Sequence, residues 1–183
     1  MPGTVAALIP TIGRPTLART IQSASWADEI IVVRDPEPTG DAARVVDIRD
    51  QQIQMATADW LSFMDDDDCY TDDAGEIIRE SVGEDRGRWH IFRMKMYDGG
   101  ELWFNQEVRW ANLGTPMMVI PNRPDLPKWS ANRVYEADFR FANAMKQQFG
   151  EPIWHEDFIA LIRPHEMKES MYELFRHRAE HRS

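Results

Sequence analysis

Short apolar segments alternate with amphipathic ones along the first 82 residues, and this alternation limits the folds that the chain can adopt. Apolar runs at residues 5–9, 29–33 and 60–64 predict buried strands, with helical patterns between them. A further strand is predicted over residues 44–48, followed by a short helix over residues 51–58. Strands that alternate with helices form a mostly parallel sheet covered by helices on both faces. The predicted fold class is therefore α/β, with one central sheet in a single domain.

The second half of the chain has a less regular pattern. Residues 89–96 and 102–110 flank the sequence Asp98-Gly99-Gly100, which is typical of the turn in a β-hairpin. A helix predicted over residues 136–149 ends before Gly150, because glycine commonly terminates helices. The remaining predicted elements are strands at 116–120 and 153–162 and a C-terminal helix at 167–182.

Charge and composition restrict the partners and the compartment. The net charge of −10 disfavours binding to nucleic acid, whose phosphates attract basic surfaces. No apolar stretch approaches the length of about 20 residues that a membrane span needs, and the first ten residues do not match a secretory signal peptide. A single cysteine, Cys69, fits a reducing environment. We therefore expect a cytoplasmic protein without a membrane span.

Four consecutive aspartates, residues 65–68, follow the predicted strand at 60–64 directly. Most acidic runs are solvated surface, which is the simplest interpretation. However, ligands of open α/β sheets bind at the carboxyl ends of the strands, and crowded carboxylates there repel one another unless a cation offsets their charge. Mg²⁺ and Mn²⁺ prefer carboxylate oxygens and share them with substrate phosphates. We therefore predict a site for a metal ion and a diphosphate at this position.

The order and spacing of five segments resemble those of the family 2 glycosyltransferases. The resemblance covers roughly residues 4–165, and its segments are 7–24, 29–35, 58–74, 135–150 and 160–165. It implies the GT-A fold, in which an α/β domain binds a nucleoside-diphosphate sugar. A single domain is then expected over residues 1–183, with a nucleotide-binding half (1–82), an acceptor-side half (83–165) and a C-terminal helix (166–183).

The resemblance also implies residues that hold the donor. The loop after the first strand would line the nucleotide pocket, the acidic residue after the second strand would contact the base, and the aspartate run matches the Asp-x-Asp signature. The implied nucleotide and diphosphate contacts are Pro10, Thr11, Arg14, Asp35, Asp65 and Asp66.

A divalent cation, Mn²⁺ or Mg²⁺, is the cofactor that the resemblance implies. Asp67 matches the end of the Asp-x-Asp signature and is the expected direct ligand, assisted by Asp68. His165 follows the last predicted strand, where many GT-A enzymes have a histidine near the metal or the diphosphate. A lone histidine can equally be structural or exposed, so both interpretations of His165 stay open.

The catalytic base of this family lies in an acidic pair at the start of a helix. Glu136 and Asp138 match that position, with Asp138 as the expected base and Glu136 as a residue that orients the acceptor or supports the Asp138 carboxylate. Alternatively, both acids merely favour the helix N-terminus. Glu156 and Asp157 form a second acidic pair, but in a predicted strand their side chains would point to opposite faces.

The implied activity is metal-dependent, inverting transfer of a hexosyl group from a UDP- or GDP-sugar to a hydroxyl of a small molecule, a glycan or a protein. Trp103, Trp110 and Trp129 could stack on sugar faces, or they could belong to an ordinary core. A nucleotidyltransferase-like enzyme and a non-catalytic nucleotide-sugar-binding module are the alternatives. Glycosyl transfer to modified bases in DNA is a further alternative that the acidic charge disfavours.

Overall fold

The computed structural model describes residues 3–37, 42–83, 86–131 and 134–175 of the chain. These residues form one sheet with five α-helices. The strands are β1 (Val5–Thr11), β2 (Glu29–Arg34), β3 (Trp60–Phe63), β4 (Cys69–Tyr70), β5 (His90–Lys95), β6 (Glu101–Leu102), β7 (Met118–Pro121) and β8 (Ile153–Leu161). The helices are α1 (Leu17–Ser23), α2 (Ala42–Met55), α3 (Ala74–Ser81), α4 (Ala137–Phe149) and α5 (Glu169–Phe175).

The strands lie side by side in the order β2-β1-β3-β7-β5-β8-β4, and β6 pairs with β5. The three parallel ladders, β1 with β2, β1 with β3, and β5 with β8, are the longest in the sheet. The shorter ladders of β3 with β7 and of β5 with β7 are antiparallel. The predicted α/β class is confirmed. No helix in the described part of the chain is long and apolar enough to cross a membrane.

The first half of the sheet follows the hydrophobic pattern of the sequence. Every residue of β1 and β3 is buried, as expected for central parallel strands covered on both faces. In β2, which lies at the edge of the sheet, side chains alternate between half-buried and exposed, and Ile30 and Val32 are exposed. The parallel pairing places the carboxyl ends of β1, β2 and β3 at the same edge.

The prediction of a strand at 44–48 and a separate helix at 51–58 is wrong, because residues 44–48 and 51–55 belong to one continuous helix, α2, which ends at Met55. Val46, Arg49 and Gln52 are buried at a spacing of three residues, which is a helical period. The Gln52 side chain also donates a hydrogen bond of 2.8 Å to the carbonyl of Ile31 in β2. The adjacent valines favour a strand locally, and packing against the sheet overrides that preference.

The predicted strand at 102–110 is also wrong beyond Leu102, where β6 ends. In the segment after β6, the side chain of buried Asn112 forms hydrogen bonds with backbone amide and carbonyl groups. Its Oδ1 accepts a hydrogen bond from the amide of Phe104, and its Nδ2 donates to the carbonyls of Asn105 and Glu107. These bonds replace the ladder that a longer strand would need.

The C-terminal helix begins later than its pattern predicts. The prediction started this helix at residue 167, whereas α5 begins at Glu169 and is described as far as Phe175. Residues 176–183 of the predicted helix lie outside the described residues.

Two histidines in the sheet make the stability of the fold sensitive to pH. His90 is 2% exposed, and its Nδ1 lies 2.9 Å from Nε2 of His155. Burial and the neighbouring His155 lower the pKa of His90 to about 4, and burial lowers the pKa of His155. Both pKa values are lower in the folded chain than in the unfolded chain. The free energy of unfolding is therefore highest above pH about 6.5, where both histidines are neutral in either state, and it decreases as the pH falls toward 4.

We therefore expect the free energy of unfolding to fall between pH 7.5 and pH 5 because the unfolded chain gains protons. His90 alone contributes a loss of about 2 kcal/mol over this interval. Urea unfolding of the wild type and of His90→Phe at both pH values measures it. The variant should lose the contribution of His90, and an unchanged pH response in His90→Phe would contradict the assignment.

Candidate functional site

A cleft of about 280 Å³ lies at the carboxyl ends of β1, β2 and β3. All six residues predicted to contact the nucleotide or the diphosphate line it, together with Asp67, the predicted metal ligand. Helix α2 forms a further wall with an arginine and two apolar residues. The lining residues are Pro10, Thr11, Ile12, Arg14, Asp35, Val45, Ile48, Arg49, Asp65, Asp66 and Asp67. Their contacts with a nucleotide stay predictions.

The carboxylate of Asp66 holds the loop between β1 and α1. Asp66 is 1% exposed, and its Oδ2 accepts hydrogen bonds from the hydroxyl of Thr11 at 2.6 Å and the amide of Ile12 at 3.1 Å. Its Oδ1 accepts a hydrogen bond from Nη1 of Arg14, and its carbonyl accepts one from the hydroxyl of Thr16 at 2.8 Å. Asp66 therefore fixes the shape of one wall of the cleft.

Gly13 allows this loop to turn around Asp66. Its φ of 87° lies in the left-handed region that glycine adopts without a steric penalty. Its amide donates a 2.8 Å hydrogen bond to the hydroxyl of Thr11. The turn brings the backbone of Ile12 and the side chain of Arg14 to the same carboxylate.

A buried arginine joins the aspartate run to the predicted base. Nη2 of Arg49 lies 2.8 Å from Oδ1 of Asp65, and Nη1 lies 3.6 Å from Oδ1 of Asp138. Asp138 is in the first turn of α4, and its Oδ1 accepts a 2.6 Å hydrogen bond from the hydroxyl of Thr115. The structure thus brings Asp138 next to the carboxylates at the end of β3.

The last two aspartates of the run differ in their surroundings. Asp67 lies in the cleft, and its closest charged partner in the described chain is Nε of Arg14 at 3.8 Å. Burial raises the pKa of Asp67, as do the charges of Asp65 and Asp66. Burial and the charge of Asp65 raise the pKa of Asp68 well above its ordinary value, and its Oδ1 accepts a 2.8 Å hydrogen bond from the amide of Arg163.

These surroundings suit a hard divalent cation at Asp67. A cation would relieve the repulsion that raises the pKa of this carboxylate. In residues 3–37, 42–83, 86–131 and 134–175, no group of three His, Cys, Asp or Glu side chains is arranged to hold a metal ion. A cation there would therefore take most of its ligands from water and donor phosphates, which is the usual mode of Mg²⁺. The metal ion stays a prediction.

His165 lies in a 3₁₀ turn, Pro164–Glu166, and does not line the cleft. Its side chain is 38% exposed, and its Nε2 lies 3.7 Å from a carboxylate oxygen of Glu166. The backbone two residues earlier contacts Asp68 through the amide of Arg163. A role for His165 at the metal also stays a prediction.

Asp35 closes the cleft at the end of β2. It is 4% exposed, and its Oδ1 accepts hydrogen bonds from Nε of Arg44 at 3.1 Å and from the amide of Glu37 at 2.9 Å. The amide of Asp35 donates a 2.7 Å bond to the carbonyl of Thr11. Asp35 is therefore fixed beside β1, on the wall opposite the aspartate run.

The two acidic pairs that could supply the base occupy different places. Glu136 is the N-cap residue of α4 and is half-buried, two residues before Asp138. Glu156 and Asp157 lie within β8 and do not line the cleft, and Glu156 forms a 3.4 Å ion pair with Arg93. The contacts of Asp138 with Arg49 and Thr115 favour the first pair.

Two of the three tryptophans considered as sugar platforms belong to the core. Trp103 is 6% exposed and packs edge-on against Trp154, and Trp129 is fully buried and stacks on Phe141. Trp110 is 60% exposed and remains available to a ligand.

No protein-family model and no curated protein sequence matches the chain. Solved structures do match its fold. S. aureus TarS 1–349 has a TM-score of 0.62 and 13% identity over 87% of this chain and 60% of that one. TarS 1–349 in complex with UDP-GlcNAc has a TM-score of 0.62 and 14% identity over 86% of this chain and 58% of that one.

A glycosyltransferase involved in the glycosylation of the major capsid of PBCV-1 matches with a TM-score of 0.57 and 13% identity, over 93% of this chain and 99% of that one. The chain has the GT-A glycosyltransferase fold. It spans about three fifths of the TarS 1–349 structures and nearly all of the PBCV-1 enzyme.

Arg49 and Thr115 were not predicted as site residues of this GT-A fold. Arg49 falls between the strand predicted at 44–48 and the helix predicted at 51–58, so the prediction misses its burial in α2. The spacing of Val45, Ile48 and Gln52 carries a helical signal that would have placed Arg49 beside them. Nothing in the local sequence links Thr115 to Asp138, because the contact joins the segment before β7 to α4.

The hydrogen bonds of Asp66 predict that it stabilises the fold more than its neighbour does. Asp66→Asn turns one acceptor oxygen into a donor amide, so we expect a loss of about 1 to 3 kcal/mol in the free energy of unfolding. Asp67→Asn has the same change in size and charge and should cause no comparable loss. Urea unfolding of both variants measures the difference, and equal losses would contradict the structural role of Asp66.

Proposed function

We propose that the protein transfers a sugar from a nucleoside-diphosphate sugar to an acceptor hydroxyl, with inversion at the anomeric carbon. The observation that carries this proposal is the bridge from Asp65 through Arg49 to Asp138, at 2.8 and 3.6 Å. It puts a carboxylate suited to general-base catalysis beside the cleft at the strand ends, where α/β folds bind nucleotides. The GT-A fold supports the same reaction class.

The donor would occupy the cleft between Asp35 and the aspartate run. Arg14 lines it and supplies positive charge for a diphosphate. The similar S. aureus TarS 1–349 has been solved in complex with UDP-GlcNAc and with UDP. Uridine nucleotides are therefore the first donors to test, although the lining residues do not distinguish UDP from GDP.

Asp138 would act as the general base. Its carboxylate accepts the proton of the acceptor hydroxyl while that oxygen forms a bond to the anomeric carbon and the nucleoside diphosphate leaves with the bonding electron pair. Thr115 orients the carboxylate through the hydroxyl bond of 2.6 Å. A single displacement with one base inverts the anomeric configuration. Glu136, at the start of the same helix, would help to orient the acceptor.

A divalent cation fits the carboxylates on the donor side. When bound, Mn²⁺ or Mg²⁺ would neutralise charge on the leaving diphosphate. Asp67 would hold it, with Asp68 and His165 as assisting residues. The direct hydrogen bonds of Asp66 to the loop after β1 assign that residue to the wall of the site.

The acceptor is a small molecule, a glycan or a protein side chain, and exposed Trp110 is a candidate platform for a sugar acceptor. A non-catalytic nucleotide-sugar-binding module and a nucleotidyltransferase-like enzyme are the competing functions. The first would bind donor without turnover, and the second would release pyrophosphate. Transfer to DNA bases remains disfavoured by the net charge of −10, and cytoplasmic localisation stays a prediction.

Nucleoside diphosphate binding should depend on a divalent cation. Calorimetry with UDP and GDP in Mn²⁺ and in EDTA measures this, and we expect chelation to weaken the affinity by about tenfold or more, or at least 1.4 kcal/mol. Asp67→Ala should reproduce the effect of EDTA because it removes the ligand. Asp72→Ala, an exposed aspartate outside the cleft, is the control. Affinity that is the same with and without the cation would refute the metal-dependent donor site.

Removal of the base should slow transfer strongly but spare the donor site. A thermal-shift screen of sugar nucleotides first identifies the donor, and transfer is then followed by nucleoside diphosphate release with candidate acceptors. Asp138→Asn keeps the size of the side chain and removes its basicity, so we expect transfer to fall by about 10²-fold or more while nucleotide binding persists. Asp157→Asn is the matched control. The opposite pattern would assign the base to β8.

A further inference from the structure

Arg49 reaches both halves of the proposed site from helix α2. Its side chain is 4% exposed, and its two terminal nitrogens approach different carboxylates, Asp65 at 2.8 Å and Asp138 at 3.6 Å. Asp65 belongs to the donor side and Asp138 is the proposed base. Among the described ion pairs, only those of Arg49 connect these two carboxylates.

The Arg49 guanidinium packs against an aromatic ring on the acceptor side. Its central carbon lies 4.8 Å from the centroid of the Trp129 ring, and that ring stacks on Phe141 with centroids 3.9 Å apart and an interplanar angle of 5°. Phe141 belongs to α4, the helix that carries Asp138. The guanidinium is therefore held by the same helix whose carboxylate it approaches.

Asp50, the residue after Arg49, binds the backbone of the 3₁₀ turn Trp129–Ala131, which contains the tryptophan beneath the guanidinium. The carboxylate oxygens of Asp50 accept hydrogen bonds from the amides of Trp129 at 2.8 Å and Ser130 at 3.0 Å. Two consecutive side chains of α2 thus attach the donor half of the molecule to the turn that supports α4. The distance between Asp65 and Asp138 depends on this attachment.

The chemistry of the contact requires an arginine. A guanidinium presents its donors in a rigid planar fork and can address two carboxylates at once, whereas a lysine ammonium is a single point charge. Nε of Arg49 is buried and has no hydrogen-bond partner among the described residues, which lowers stability. The planar fork of this side chain therefore matches two carboxylates better than a point charge would.

Given the proposed function, we propose that Arg49 is a positioning residue that holds the general base Asp138 at a fixed distance from the donor-side carboxylate Asp65. The transfer step depends on that distance, whereas nucleotide binding depends on it far less. Arg49 would therefore control kcat for transfer without being the donor's principal ligand.

Arg49→Met and Arg49→Lys test this proposal, with Arg123→Met as the control. Arg123 has the same kinds of contact away from the cleft, an ion pair with Asp125 at 2.9 Å and a position 4.7 Å from the Phe149 ring. We expect kcat for transfer to fall by about 10- to 100-fold in both Arg49 variants because the base is displaced. The donor KM and the nucleotide Kd should stay within about threefold of the wild type.

Three kinetic outcomes would overturn the proposal. Full activity of Arg49→Lys would mean that positive charge alone is sufficient. A loss of nucleotide affinity as large as the loss of kcat would make Arg49 a donor ligand. Finally, Arg49→Met should cost little more in the Asp138→Asn background, so losses that simply multiply would mean that Arg49 does not act through Asp138.

Hydrogen–deuterium exchange separates this proposal from the proposed function. The amide of Thr115 donates to Oδ2 of Asp138 at 3.3 Å, so its exchange rate reports on the position of that carboxylate. Arg49→Met should speed exchange at Thr115 and in the first turn of α4, and Arg123→Met should not. If the wild type transfers no sugar from any donor, the proposed function fails, but unchanged exchange in Arg49→Met would still refute the positioning role.

Discussion

The hydrogen bonds of the Asp66 carboxylate are the interaction on which the site depends. A buried charge is tolerated only when it is paired and hydrogen-bonded, and Asp66 obtains its partners from Thr11, Ile12 and Arg14 in the loop after β1. That loop therefore lies against the end of β3, and the cleft forms between them. Because Asp66 turns inward, its neighbour Asp67 lines the cleft, where its charge is available to a ligand.

The order of the strands explains how the second half of the chain completes the cleft. β7 lies antiparallel beside β3, which brings the segment before β7 to the carboxyl end of β3. Thr115 in that segment contacts Asp138 of α4, and Arg49 of α2 approaches the same carboxylate. A helix from each half therefore meets at one carboxylate, beside the cleft at the strand ends.

The solved structures share the fold of this chain but little of its sequence. Identities of 13 to 14% accompany TM-scores of 0.57 to 0.62, so the architecture is retained with little shared sequence. What such folds share is the geometry of strand ends and the backbone that surrounds them, whereas function depends on particular side chains. The function proposed for this chain accordingly rests on its own contacts, with the bridge through Arg49 as the central one.

Local sequence pattern predicts the buried strands β1 and β3, the helix α4 and the location of the acidic run, because apolar periodicity and strand-end position are local properties. The pattern misassigns part of α2, because its paired valines favour a strand locally. Packing of the helix against the sheet overrides that preference. Four consecutive aspartates also look alike in a sequence. The different roles of Asp66, which anchors a loop, and Asp67, which faces the cleft, follow from the tertiary structure. They depend on a backbone turn and on partners of Asp66 that lie more than 50 positions away in the sequence. The approach of Arg49 to Asp138 is likewise a product of packing, which no local pattern encodes.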